Sequence, residues 1–212
     1  MRHNVSKRTI AVLGATGGTG ARVVAEAVRA GHRVTAVVRS AGRVQPAEGL
    51  REAVWGDVAD PDALTDALVG ADVVISALGG ASRGPTTVCA DAMRSTVSAT
   101  TAAGVPRLIA VSAHGVLESR DRSLYSRAVW SAVGERMKDK EVMEPIAVAS
   151  ALDWTIVRAP ALKDAPATGR YVVGEDLPVR LWHWIGRGDL AAFLVREAEQ
   201  ARFVRRHPRI HR

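Results

Sequence analysis

The sequence predicts an α/β fold: a doubly wound, mostly parallel sheet held as the middle of three layers, with helices on both faces. Three observations lead there. Short β-branched runs alternate with longer stretches of helical spacing along the 212 residues. Each run is almost continuously apolar in its middle, as in "TIAVL" and "DVVISA", which is the pattern of strands covered on both faces. Strict strand–helix alternation then requires right-handed crossovers between parallel neighbours.

Taken in order, the first strand is expected at residues 9–13, directly before the glycine-rich "GATGGTG". A helix follows at 18–30 and stops at Gly31, then a strand at 33–38 and another at 52–55. Asp60 is the expected N-cap of a helix at 61–69, which Gly70 closes. A strand at 72–77, a helix at 86–103 closed by Gly104, and a strand at 107–112 continue the rhythm. A long helical segment covers 123–149, before a sixth strand at 153–158. Residues 159–181, with Pro160, Pro166, Gly169, Gly174 and Pro178, break the alternation. Together with the aromatic stretch up to 187 they predict a small irregular C-terminal cover over the strand ends, where open α/β sheets bind ligands. The last helix is expected at 188–201, led by Asp189, and the basic tail 202–212 is expected to be frayed and solvated.

A chain of 22.5 kDa is long enough for one substantial core and too short for two full enzyme domains, so residues 1–212 are read as one domain. A mean hydropathy of +0.02 argues against disorder, and no apolar run approaches the roughly 18 residues of a membrane helix. The basic stretch from Met1 to Arg8 leads into a glycine-broken strand instead of an apolar run with a cleavage site. One cysteine, Cys89, permits neither an internal disulfide nor a thiolate metal cage, so the cytoplasm is the expected compartment. The net charge of +7 raises nucleic acid as a partner. Only four of the 29 cations are lysine, however, and the charge gathers at the two ends, which reads as an arginine bias of composition. A small-molecule partner and a monomer or small homo-oligomer are expected instead.

The four glycines answer to a dinucleotide. Gly14 permits the tight turn, Gly17 lets the main chain approach a pyrophosphate, and Gly20 lets the following helix pack close on the strand. The helix N-terminus adds unpaired N–H groups and a positive dipole end. At the end of the second strand, where an NAD-specific protein places an acid on the ribose 2′-OH, the chain has Arg39, then Ser40 and Arg43. A guanidinium there can pair a 2′-phosphate, which favours NADP (NADPH) as cofactor; the alternative is a solvated surface arginine. Asp57 and Val58, after the third strand, would flank the adenine. Ala77, Leu78 and Gly79, after the fourth, would wall the cofactor near the switch point.

The segments "GATGGTG", "VVRSAGR", "DVVISALGG", "LIAVSAHGV", "SALDWTIVRAP" and "IGRGDLAAFLVREA" run in the order of the atypical short-chain dehydrogenase/reductases with an NmrA-like, Rossmann-like NAD(P)H-binding fold. From Thr9 to about Glu199 the chain most resembles the biliverdin-IXβ reductase/flavin reductase branch. The resemblance implies phosphate contacts from Thr16, Gly17, Gly18 and Thr19, and 2′-phosphate contacts from Arg39 and Arg43. It implies adenine contacts at Asp57 and Val58, and nicotinamide-side positions at Ala77 to Gly79, Ser112 and Pro160 to Leu162. One departure is visible: where the human-type flavin reductases carry a histidine after two prolines, this chain reads Pro160-Ala161-Leu162.

A carbonyl reductase must protonate a developing alkoxide, and the main branch of the family does so with Tyr-x-x-x-Lys and an upstream serine. Here Tyr125 is followed four residues on by Val129, and Tyr171 by Glu175. Three residues remain as catalytic candidates. Ser112 either aims at the cofactor crevice or bonds its own loop; His114 either donates a proton or is a solvated loop histidine; Tyr125 either touches substrate or packs a helix start. His183 reads as part of a strand, Lys140 and Glu144 as a surface pair on one helix, and no spacing of ligands argues for metal. The expected activity is an NADPH-dependent reductase that passes hydride to a conjugated small molecule such as a flavin, quinone or related polycyclic compound, with the proton taken from solvent. Two alternatives stand beside it: an NmrA-like NADP(H)-binding redox sensor without turnover, and a reductase or dehydratase tailoring step in small-molecule biosynthesis.

Overall fold

Strand β1 (Thr9–Leu13) sends alternate side chains into two separate apolar layers. Ile10 and Val12 enter one core, Ala11 and Leu13 the other. In the computed structural model, which describes residues 7–45, 47–80 and 84–212, the chain continues through α1 (Gly20–Arg29), β2 (Arg33–Val38), β3 (Leu50–Val54), α2 (Pro61–Leu68), β4 (Val73–Ser76), α3 (Val88–Ala102) and β5 (Arg107–Ala113). It ends with α4 (Leu124–Val148), β6 (Asp153–Ala159), β7 (Ala161–Lys163), β8 (Val172–Gly174), β9 (Trp184–Gly186), α5 (Arg187–Gln200) and β10 (Arg209–His211). Most of the basic N-terminal stretch, residues 1–6, lies outside the described residues.

The main sheet has the order β3-β2-β1-β4-β5-β6-β10-β8. Its strands run parallel except β8, which pairs antiparallel with β10. The order reverses between β1 and β4, so their C-terminal ends, Leu13 and Ser76 in register, border the crevice of a doubly wound sheet. Helices α1 and α5 cover one face, through Val23, Ala27, Leu190 and Leu194. Helices α2, α3 and α4 cover the other, through Leu64, Leu68, Met93 and Met143. Asp60 caps α2 as expected, accepting from the N–H groups of Asp62 and Ala63.

Four expectations are corrected. The tail is not frayed. Phe203 and Ile210 are buried, Arg205 N donates to the Trp154 carbonyl at 2.6 Å, and Arg158 N to that of Pro208 at 2.9 Å. Without these contacts β6 would be an open edge, and the tail covers it. The region after β6 is not wholly irregular: β7 pairs with β9 in a separate two-stranded ribbon, and β8 joins the main sheet. His183 precedes the short β9 and stacks on His211 at 3.8 Å. Lys140 and Glu144 do not pair on a helix surface. Glu144 is fully buried and accepts from Arg158 Nη2 at 2.5 Å, whereas Lys140 Nζ donates to the Val111 carbonyl at 3.0 Å. The reason is that each has another partner, Glu144 the buried guanidinium of Arg158 and Lys140 a main-chain carbonyl at the end of β5; α4 itself is kinked at Val133, at φ −140° and ψ 32°, ahead of both.

Candidate active site

The loop after β1 is built around its glycines. Gly14 takes φ +73°, a left-handed conformation that costs glycine nothing, and its carbonyl accepts from Gly17 N at 2.9 Å. A Cβ on Gly20 would collide with the Gly14 carbonyl, so only glycine lets α1 start this close to β1. Gly18 lies under Arg187, whose Nε would be 3.0 Å from an added Cβ. Arg187 Nη1 in turn donates to Asp164 at 3.0 Å.

Two cavities meet at Leu78 and Gly79 across the crevice. The smaller, about 440 Å³, is lined by Gly14, Thr16, Arg39, Ser40, Arg43 and Val58. Arg39, Ser40 and Arg43 are exposed at its rim, and Arg43 Nε donates to Ser40 Oγ at 3.1 Å. Glu52 clamps this rim from β3 by accepting the N–H groups of Gly42, Arg43 and Val44. Those backbone donors, that of Gly42 first, hold its carboxyl below the usual range. Asp57 turns back to accept from Ala59 N at 2.9 Å and lines neither cavity. Gly20 is buried behind the loop.

The larger cavity, about 770 Å³, receives Gly17, Gly18 and Thr19 from the glycine loop, Ala77 from the end of β4, and Pro160 and Leu162 from the turn after β6. Ser112 is 3% exposed, and its Oγ has no hydrogen-bond partner among the described residues. Ser112 stands in the wall of this cavity and does not bond its own loop. Tyr125 also lines it, and burial pushes its phenol up to about 12, so it stays protonated at neutral pH. His114 is placed differently. Its ring is buried, tilted against Tyr125 at 5.3 Å, and is not among the cavity's lining groups. It is therefore not a solvated loop histidine; burial, with the charge of Arg209 next, lowers it to about 4.

Among the lining residues not singled out for the site in the sequence are Arg136, Met137 and Lys140 of α4, and Arg187 at the start of α5. The kink at Val133 hides the first three from a single helical period, because the two halves of α4 present different faces. For Arg187 the available signal was its place just before the expected helix at 188–201. Among the described residues no group of three or more His, Cys, Asp or Glu is placed to hold a metal ion, and no helix is long and apolar enough to cross a membrane.

Solved structures of known proteins share this fold. A protein from Burkholderia pseudomallei is 31% identical over 97% of this chain and 100% of its own, with a TM-score of 0.75. An anaerobilin reductase from Escherichia coli is 25% identical over 95% of this chain and 96% of its own, with a TM-score of 0.81. A wide-type short-chain dehydrogenase/reductase from Veillonella parvula, solved in complex with NADP, shares the fold at a TM-score of 0.80 and 18% identity, covering 97% of this chain and 94% of its own. A family model described as NAD(P)H-binding matches residues 14–201, from the first glycine of the loop to the end of α5. The chain belongs to this NAD(P)H-binding family, within the atypical short-chain dehydrogenase/reductases that its motifs resemble.

Proposed function

We propose that this chain is an NADPH-dependent reductase that reduces a conjugated, largely apolar small molecule. The observation that carries the reading is the two-ended crevice, with a rim of guanidinium groups at one end and a wide, apolar-walled cavity around an unpartnered serine hydroxyl at the other.

The residues present fit a dinucleotide. The glycine loop is packed so closely that a Cβ on Gly14 would press on the Ala77 carbonyl and one on Gly18 on Arg187, which keeps its main chain bare at the cavity edge, and Ser112 Oγ is a buried polar atom without a partner of its own. Gly14, Thr16, Gly17, Gly18 and Thr19 would bring the main chain close to the phosphates with the α1 dipole behind them, the Gly17 N–H itself being engaged by the Gly14 carbonyl. Arg39 and Arg43 would hold a 2′-phosphate, with Val58 beside the adenine. Ala77, Leu78, Gly79, Pro160 and Leu162 would shape the nicotinamide end. When bound, NADPH supplies the hydride.

The chain's own residues orient the acceptor, exclude water and stabilise charge. Val111, Val129, Met137 and Leu162 give the cavity low-dielectric walls, against which a flat conjugated ring can lie. Ser112 Oγ can donate to an acceptor atom that gains negative charge, and the Lys140 ammonium, held at the Val111 carbonyl, adds a positive field beside it. Tyr125, kept protonated by burial without a lysine four residues on, serves as wall and not as base. Overall the acceptor gains one hydride from NADPH and one proton from solvent.

Purified protein with NADPH, assayed against flavins, quinones and α,β-unsaturated ketones, tests the reading. NADPH absorbance should decay with at least one acceptor clearly above the protein-free blank. NADP(H) binding with no acceptor-dependent decay would replace the reductase with a redox sensor built on the same crevice.

A further inference from the structure

Resting on the reading of the crevice as an NADPH site, we infer that Arg187 is a second phosphate-binding group, which reaches the cofactor's pyrophosphate from α5 beside the N-terminus of α1. The motif Gly186-Arg187-Gly188-Asp189 joins β9 to α5, and three of its four residues have duties within the fold. A Cβ on Gly188 would collide with the main chain of Pro166 and Ala167, and one on Gly186 would press on Ala165. Asp189, 2% exposed, accepts from Thr168 N at 2.7 Å, Gly169 N at 2.8 Å and Thr168 Oγ1 at 2.9 Å. These contacts fasten residues 164–169 to the start of α5 and fix where the Arg187 side chain begins.

That side chain crosses to the glycine loop and lines the larger cavity with Gly17, Gly18 and Thr19. Its Nε and Cδ are the atoms that a Cβ on Gly18 would meet, at 3.0 and 3.2 Å, so the bare main chain at Gly18 is what lets the guanidinium come this close. Arg187 Nη1 donates to Asp164 Oδ1 at 3.0 Å, which occupies one end of the group. The opposite edge, Nε with Nη2, makes no hydrogen bond among the described residues, and its Nε is the atom beside the loop. Two donors on one planar edge match two phosphate oxygens. Asp164 also faces Arg22 Nη2 at 3.4 Å, and Arg22 Nη1 donates to the Gly18 carbonyl at 2.5 Å. Two guanidinium groups thus share one carboxylate, which leaves a net positive charge next to the loop. The α1 N-terminus supplies only about half a unit charge, less than a pyrophosphate carries, and the Arg187 fork adds the rest.

The test is nucleotide binding, read by tryptophan fluorescence as NADPH and NADH are titrated into wild type, Arg187→Gln, Arg187→Lys and Arg39→Ala. Both nucleotides carry the pyrophosphate, and only NADPH carries the 2′-phosphate. Arg187→Gln should weaken both by roughly 10- to 100-fold, the loss of charge-assisted hydrogen bonds to a phosphate. Arg187→Lys, which keeps the charge without the fork, should recover part of that loss. Arg39→Ala supplies the contrast, because it should weaken NADPH alone. Adenosine 2′-monophosphate, which lacks the pyrophosphate, should bind Arg187→Gln within about twofold of its wild-type affinity. Unchanged affinity of Arg187→Gln for NADPH and NADH, weakening of NADPH alone, or an equal loss for adenosine 2′-monophosphate would overturn the inference; the last would make Arg187 a support of the fold. Weakening of both dinucleotides in a protein that turns over no acceptor would leave the role of Arg187 standing and remove the reductase. Turnover with unchanged dinucleotide affinity in Arg187→Gln would do the reverse.

Discussion

Replacing Glu144 by glutamine removes the one fully buried carboxylate that Arg158 contacts. Arg158 is 1% exposed, and its Nε and Nη2 both donate to Glu144. Breaking a buried pair from one side costs about 3–5 kcal/mol, since the remaining charge stays buried. Here Arg158 keeps a second carboxylate, Glu118, whose side chain is 63% exposed and so reaches water. The cost should lie at the low end, about 3 kcal/mol, which is roughly a 1 M drop in the urea midpoint at ordinary slopes for a chain of this size. Equilibrium urea unfolding followed by tryptophan fluorescence measures it. A double-mutant cycle adds the discriminating number: Arg158→Met with Glu144→Gln should show coupling above about 1.5 kcal/mol, and Lys140→Met with Glu144→Gln less than about 0.5 kcal/mol. A cost below about 0.5 kcal/mol for Glu144→Gln, or stronger coupling to Lys140 than to Arg158, would refute the buried pair and restore the simple surface pair suggested by spacing.

The other expectations concern titration and chemistry. His114 has its folded pKa lowered from 6.5 to about 4, so the unfolded chain binds this proton more readily. Its contribution to stability is full above about pH 6.5 and is lost as the pH falls toward 4, by up to about 3 kcal/mol. His114→Gln should flatten the pH dependence of stability in that window, and an unchanged slope would place the acid sensitivity elsewhere. Tyr125→Phe should retain turnover within about tenfold, equivalent to about 1.4 kcal/mol of barrier. A thousandfold loss with NADPH affinity intact would make Tyr125 the proton donor after all.

Much of the fold was legible because its signals are local. The first two strands fall where the apolar runs put them, at Thr9–Leu13 and Arg33–Val38, since a parallel strand buried on both faces needs such a run. The glycine loop was legible for the same reason: each glycine answers a constraint set within a few residues of itself. The tail was not. Its arginines read as solvent-facing, but Phe203 and Ile210 between them enter the core, where the tail lies along β6, more than 40 residues away in sequence. Cover of a sheet edge is a tertiary event that leaves little trace in a short, charged segment. The substrate wall was obscured by the Val133 kink. Across 25 residues of α4 no single apolar stripe persists, so Arg136 went unnoticed and Lys140 was read as half of a surface pair. His114 was read as a proton donor or a solvated loop residue because its burial, and the charge of Arg209 from the tail strand, come from parts of the chain distant in sequence.

The most direct test of the crevice as an NADPH site is a paired titration of NADPH and NADH into wild type and Arg39→Ala, read by tryptophan fluorescence. A charge-assisted hydrogen bond to a phosphate contributes about 1.5–3 kcal/mol. Wild type should therefore prefer NADPH, and Arg39→Ala should weaken NADPH by roughly 10- to 100-fold while leaving NADH nearly unchanged. Equal affinity of wild type for the two nucleotides, or equal weakening of both by Arg39→Ala, would contradict the assignment of the Arg39 and Arg43 rim to the 2′-phosphate.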